Sequence, residues 1–108
     1  MELRARDLQV FVTSGGHKPF SEWVNTLRVD DQVIIRNRLD RVEKGNFGDV
    51  KSLGDGVYEL RFHQRGGFRI YYGLDGKTVV LLLLGGDKST QAKDIKLAKK
   101  YWNEYKKT

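Results

Sequence analysis

Cysteine is absent from the 108 residues, which removes disulfides, thiolate metal sites and cysteine nucleophiles together. Histidine is scarce, and neither His17 nor His63 lies in a run of carboxylates, so no metal site is expected. Long hydrophobic runs are also missing. The longest, Val79 to Leu84, falls far short of the ~20 apolar residues that a membrane helix needs. No apolar stretch follows Met1-Glu2-Leu3-Arg4, so no signal peptide is expected and the chain reads as soluble and cytoplasmic. There is no linker, repeat or low-complexity segment. One domain over residues 1–108, with one modest core, is the expectation.

Acid is the minority charge. Twenty Lys plus Arg against fourteen Asp plus Glu leave a formal +6 and a pI near 9.7. A small domain this basic suits nucleic acid or an acidic protein partner. The distribution sharpens this. From Arg61 to Tyr72 the chain reads RFHQRGGFRIYY, with three arginines, one histidine, four aromatics and no acid. From Lys93 onward six lysines face only Asp94 and Glu104, which a solvated helix face would also explain.

Periodicity supplies the elements. Leu8, Val10 and Val12 alternate with Gln9, Phe11 and Thr13, a first strand broken by Ser14-Gly15-Gly16. Pro19 suits the start of a short helix carrying Phe20, Trp23, Val24 and Leu27. Asp30 and Asp31 favour a second helix start, by capping and by the macrodipole. Ile35, Leu39 and Val42 then make an apolar stripe that ends near Gly45, with Arg36 and Asp40 on the wet side. Val33 does not fit that stripe. Tyr58, Leu60 and Phe62 alternate with Glu59, Arg61 and His63, giving a strand with one core face and one polar face. Gly66-Gly67 turns the chain, and Phe68, Ile70 and Tyr72 alternate with Arg69 and Tyr71. Asp75-Gly76 is a hairpin signal. Val79 to Leu84, apolar throughout, reads as a central strand covered on both faces and ended by Gly85-Gly86. Ser89 or Thr90 can cap a last helix with Ile95, Ala98 and Trp102 inward and Lys93, Lys96, Lys100 and Lys107 outward. The order β-α-α-β-β-β-α predicts an α+β domain with a four-stranded, mostly antiparallel sheet.

The polar face of the meander is where chemistry is expected. Matching pleat across the Gly66-Gly67 turn brings Arg61, His63 and Arg69 to one concave patch, with Arg65 in the turn. Cations held together repel unless an anion sits among them, and a phosphodiester is the natural one. Tyr71 is a candidate to stack an unpaired base beside it. The plainer alternative is that each arginine reaches solvent singly or pairs with Glu59. An unperturbed imidazole titrates near ~6.5, so His63 suits a general base or acid, although a lone strand histidine is commonly just a polar surface residue. Gly85-Gly86-Asp87-Lys88-Ser89 is not a P-loop, because Asp87 stands where glycine must precede the lysine. A strand-to-helix turn with Lys88 near a helix start remains, and such turns favour an anion.

The run Gly45 to Lys51, then Gly54 to Arg61, Gly67 to Tyr72 and Gly85 to Gln91 resembles the addiction module killer proteins, RelE/HigB-like toxins of the RelE/ParE superfamily. The resemblance extends from about Leu8 to Trp102. It implies a four-stranded antiparallel sheet packed on helices and a helix-turn-helix antitoxin as partner. It also implies metal-independent mRNA cleavage on the translating ribosome, with no cofactor. Residue by residue, Arg61 matches the family's basic residue on the first meander strand, Arg69 its phosphate-binding arginine and Lys88 its basic residue after the last strand. His63 stands where this branch commonly has histidine. The tyrosine of the RelE C-terminal segment has no counterpart in Gln91 to Asp94, and Gly15 to Lys18 looks like an insertion.

The implied toxin is an endoribonuclease in which the ribose 2′-hydroxyl attacks the adjacent phosphorus in line. Arg61, Arg69 and Lys88 bind the phosphate, and His63 moves the proton. Arg65, Tyr71 and the Lys93, Lys96 and Lys100 face contact RNA more widely. Three other readings stay open at this level: a ParE-like gyrase inhibitor, a non-catalytic nucleic-acid-binding module, and a phage-derived relative that has lost toxicity.

Overall fold

The last strand of the sheet has no wet face, and that decides the layering. In a computed structural model describing residues 5–64 and 66–108, this strand is β5 (Val79–Gly86). Val80 and Leu82 point into a core made with α1 (Pro19–Asn25) and α2 (Val29–Glu43), through Phe20, Ile35 and Val42. Leu81 and Leu83 point the other way, against Ala98 and Trp102 of α3 (Gln91–Lys106). The sheet is thus sandwiched between helices on both faces, as the unbroken apolar run requires.

The sheet has five strands in the order β1-β5-β4-β3-β2. They are β1 (Asp7–Val10), β2 (Val50–Ser52), β3 (Val57–Arg61), β4 (Arg69–Asp75) and β5. All neighbours are antiparallel except β1, which runs parallel to β5 with Asp7 beside Val79. The α+β class and mostly antiparallel sheet stand as expected; the strand number is corrected from four to five. The extra strand, β2, is a three-residue edge strand with two exposed residues, so its alternation is too short to read.

Other details differ for local reasons. β1 stops at Val10; Phe11 turns into the core under α3, packing on Tyr101, while Val12 is left exposed. The acids at the start of α2 lie inside its first turn, and Arg28, the residue before it, gives no side-chain cap, so the macrodipole rather than capping explains them. At the other end, Gly45 takes φ +91°, its N–H bonds to Val42 O and the Asn46 N–H bonds to Arg41 O, a Schellman close. Val33 is half exposed, in keeping with its place off the stripe. Gly85 and Gly86 end β5 from within, as its last two residues rather than a break beyond it. A Cβ on Gly85 would stand 2.1 Å from the Trp23 ring, and one on Gly86 2.0 Å from the Asp94 carboxylate. On the opposite face Trp102 covers Gly73 of β4 in the same way. Each tryptophan lies flat on the sheet because a glycine lets it. Thr90 stands at the N-cap of α3 but gives no side-chain cap, its hydroxyl donating to Asp94; Asp87 caps the preceding 3₁₀ turn Lys88–Thr90 by accepting from the Ser89 N–H.

Candidate nucleic-acid interface

Pairing across the β3–β4 hairpin sets Arg61 directly opposite Arg69, with Glu59 opposite Tyr71 on the same face. The expected convergence of the two arginines therefore holds, but the face is not open. α3 covers it. Arg69 is 3% exposed, Tyr71 and Glu59 are fully buried, and only Arg61 reaches the surface, with 36% of its side chain accessible. The idea that Tyr71 stacks an unpaired base is corrected by this burial: its ring belongs to the core with Leu83 and Trp102. Burial, and the charge of Glu59, hold its hydroxyl well above the ordinary tyrosine range, so it stays protonated.

Glu59 answers the two opposed guanidinium groups. Its Oε1 lies 3.9 Å from Arg61 Nε and 3.8 Å from Arg69 Nε, and its Oε2 accepts from Gln91 Nε2 at 2.9 Å. The alternative that the arginines meet Glu59 is thus realised in the geometry. Arg69 is also a clamp. Its Nη1 donates to the carbonyls of Phe62, Gly67 and Phe68, at 3.0 to 3.1 Å, and so gathers both ends of the Gly66-Gly67 turn. In the interior such contacts replace the hydration that the charge has lost. Arg69 is placed to shape the turn, not to reach a ligand.

The exposed members lie around that turn. His63 follows β3, largely exposed, and its Nε2 lies 2.7 Å from Asp49 Oδ2. The bond from His63, and then the charges of Arg61 and Arg38, hold the Asp49 carboxyl below its usual range. An ionised carboxylate can only accept, so Nε2 carries the proton and Nδ1 is left as the basic nitrogen. Lys88 is exposed, and its stem crosses Gly67, where a Cβ would come within 2.8 Å of it. Arg65 lies outside the described residues.

Arg38, Arg41, Asn46, Asp49, Arg61 and His63 line one shallow groove of about 310 Å³. Arg38 builds its floor. Its guanidinium donates to the carbonyls of Phe47, Asp49 and Arg61, at 2.8 to 3.0 Å, and lies over the Phe62 ring. Sequence reasoning missed Arg38, Arg41, Asn46 and Asp49. One signal was present: Arg38 falls three residues after Ile35 and four before Val42, an arginine on the buried stripe of α2. Asp49 gave none, because its partner is reached only through the fold.

Lys93, Lys96 and Lys100 are exposed on α3, as expected, but not in the groove. Lys100 lines a larger hollow, about 570 Å³, with Asp55, Lys99, Trp102, Asn103 and Lys106. That hollow offers lysines but no histidine, so size does not move the chemistry there. Among the described residues no group of His, Cys, Asp or Glu is placed to hold a metal, and no helix is long and apolar enough to cross a membrane.

Two comparisons bear on this arrangement. The chain is 46% identical over 81 residues to an uncharacterized protein of Haemophilus influenzae, covering 74% of this chain and 82% of that one. The phage-derived Gp49-like family (DUF891) matches residues 22–103, a span that holds the groove, the Glu59 network and Lys88. On that match, the chain belongs to the phage-derived Gp49-like family.

Proposed function

We propose that this protein is the toxin of a type II toxin–antitoxin pair and acts as a metal-independent, ribosome-dependent mRNA endoribonuclease. The observation that carries the reading is the His63–Asp49 pair set among arginines in an open groove. His63 Nδ1 takes the proton from a ribose 2′-hydroxyl, whose oxygen attacks the adjacent phosphorus. The P–O5′ bond breaks, leaving a 2′,3′-cyclic phosphate on one fragment and, once the leaving oxygen is protonated, a 5′-hydroxyl on the other. Arg61 and Lys88 neutralise charge on the phosphoryl oxygens. Arg69 and Glu59 act one step back: they hold the turn and aim Arg61.

The family resemblance supports an antitoxin with a helix-turn-helix domain, and the lysine face of α3 supplies a docking surface for an acidic segment of it. Primer extension on a message translated with the purified protein tests the activity. Discrete cuts that need ribosomes and vanish in His63→Ala are expected. Intact message together with gyrase inhibition would replace this reading with the ParE-like one.

A further inference from the structure

The charge around the groove is out of balance on the side away from Lys88. Arg38 spends its donors on backbone carbonyls and, among the described residues, meets no carboxylate at ion-pair distance. The one acid in the groove lining, Asp49, gives an oxygen to His63. Burial, and then the charge of Arg41, lower the Arg38 pKa, and the Asp49 carboxylate offsets them only in part. Arg41 itself is exposed and makes no ion pair among the described residues. Nor is its position loose. It stands in the last turn of α2, and its carbonyl accepts from the Asn46 N–H in the helix close. Gly48, at φ +72°, keeps the next stretch of chain flat on the Arg38 guanidinium, where a Cβ would come within 3.2 Å. The groove wall thus sets Arg41, unpaired by any carboxylate among the described residues, beside Asn46.

We propose that Arg41, with Asn46 beside it, forms a second phosphate station that holds the backbone of single-stranded RNA next to the bond placed at His63. This rests on the reading of the groove as an RNA site and adds the path that the strand takes: from Lys88, past Arg61 and His63, to the C-terminal end of α2. Arg41 gives the charge and Asn46 an amide within reach of the ribose or of a second phosphate oxygen. Recognition through the backbone is independent of base identity.

The test measures binding and cleavage separately. A fluorescent single-stranded oligonucleotide with 2′-O-methyl riboses, which cannot be cut by this route, is titrated by anisotropy at several salt concentrations. Each phosphate contact on a single strand contributes about 0.7 to the slope of log K against log salt. Arg41→Ala is expected to weaken binding and to lower the slope by about 0.7. Arg36→Ala, an exposed arginine of α2 outside this groove, should match the wild type. In translated message, Arg41→Ala should raise KM and leave kcat and the cut positions unchanged. A wild-type slope in Arg41→Ala, or no salt-dependent binding by the wild type, overturns the proposal. So does a loss of affinity confined to an oligoglutamate peptide, which would make the surface a protein-docking site. If the wild type never cuts message yet Arg41→Ala still loses its share of the slope, the ribonuclease reading fails and the phosphate station stands.

Discussion

Arg69→Ala offers a severe test of the packing described above. The guanidinium is 3% exposed and lies in three roles at once: donor to three carbonyls, partner to Glu59, and neighbour of the opposed Arg61. Truncation leaves the Phe62, Gly67 and Phe68 carbonyls short of a donor and leaves Glu59, itself fully buried, with less positive charge to meet. Hydrogen bonds from charged donors contribute about 1.5–3 kcal/mol each, but here they share one nitrogen and do not add. Removing one partner of a buried ion pair costs about 3–5 kcal/mol, and we take that range for the whole change. Against the 5–15 kcal/mol typical of a domain, the variant is folded but weakened. In a urea titration, with a slope of about 2 kcal/mol/M, the midpoint should fall by about 2 M. Pairing the change with Glu59→Gln should cost less than the two single losses together, because no unmatched carboxylate is then buried. A loss under about 1 kcal/mol would refute the clamp. It would return Arg69 to the role of a surface phosphate ligand.

Two further outcomes follow from the same geometry. Gly85→Ala drives a methyl into the Trp23 ring, where 2.1 Å is available, and should destabilise by about 1–3 kcal/mol, read as a lowered midpoint with an unchanged slope. Acid should weaken the fold through Asp49 and Asp87, both held below the usual carboxylate range, by His63 and by Ser89 respectively. Their contribution is present above the unfolded value and is lost as pH falls through the folded one. The melting temperature should therefore drop below about pH 4, and Asp87→Asn should flatten that drop; an unchanged profile would show that the cap contributes nothing.

How much of this was legible in the sequence depends on where each residue's partners come from. The alternation of Leu60 with Arg61 and of Ile70 with Arg69 is a local property, so the meander and the opposition of the two arginines could be read directly. What covers the polar side could not. α3 has an inward stripe of Ile95, Ala98 and Trp102, but nothing in its spacing says which face of the sheet receives it. Alternation alone therefore sets Tyr71 beside an RNA base, whereas it packs in the core with Trp102 and Leu83. Gly85 and Gly86 misled in a different way. Their usual meaning is a break, whereas here they extend a strand whose neighbours need the room. Asp49 and His63 are fourteen positions apart and meet only because β2 pairs with β3.

The parallel pairing of β1 with β5 has a consequence for how the chain is made. Asp7 lies beside Val79, so the first strand synthesised waits for the last one before it has a backbone partner. The β3–β4 hairpin needs only its own turn, and its closure is entropically cheap. β1 is different: its hydrogen bonds form only after β5 exists, about seventy residues later, and contacts of such long sequence separation slow folding. Until then, Leu8, Val10 and Phe11 have no sheet to cover. A nascent chain can thus carry the Arg61–Arg69 hairpin before it can carry the whole sheet, and it is the arrival of β5 that gives β1 its partner.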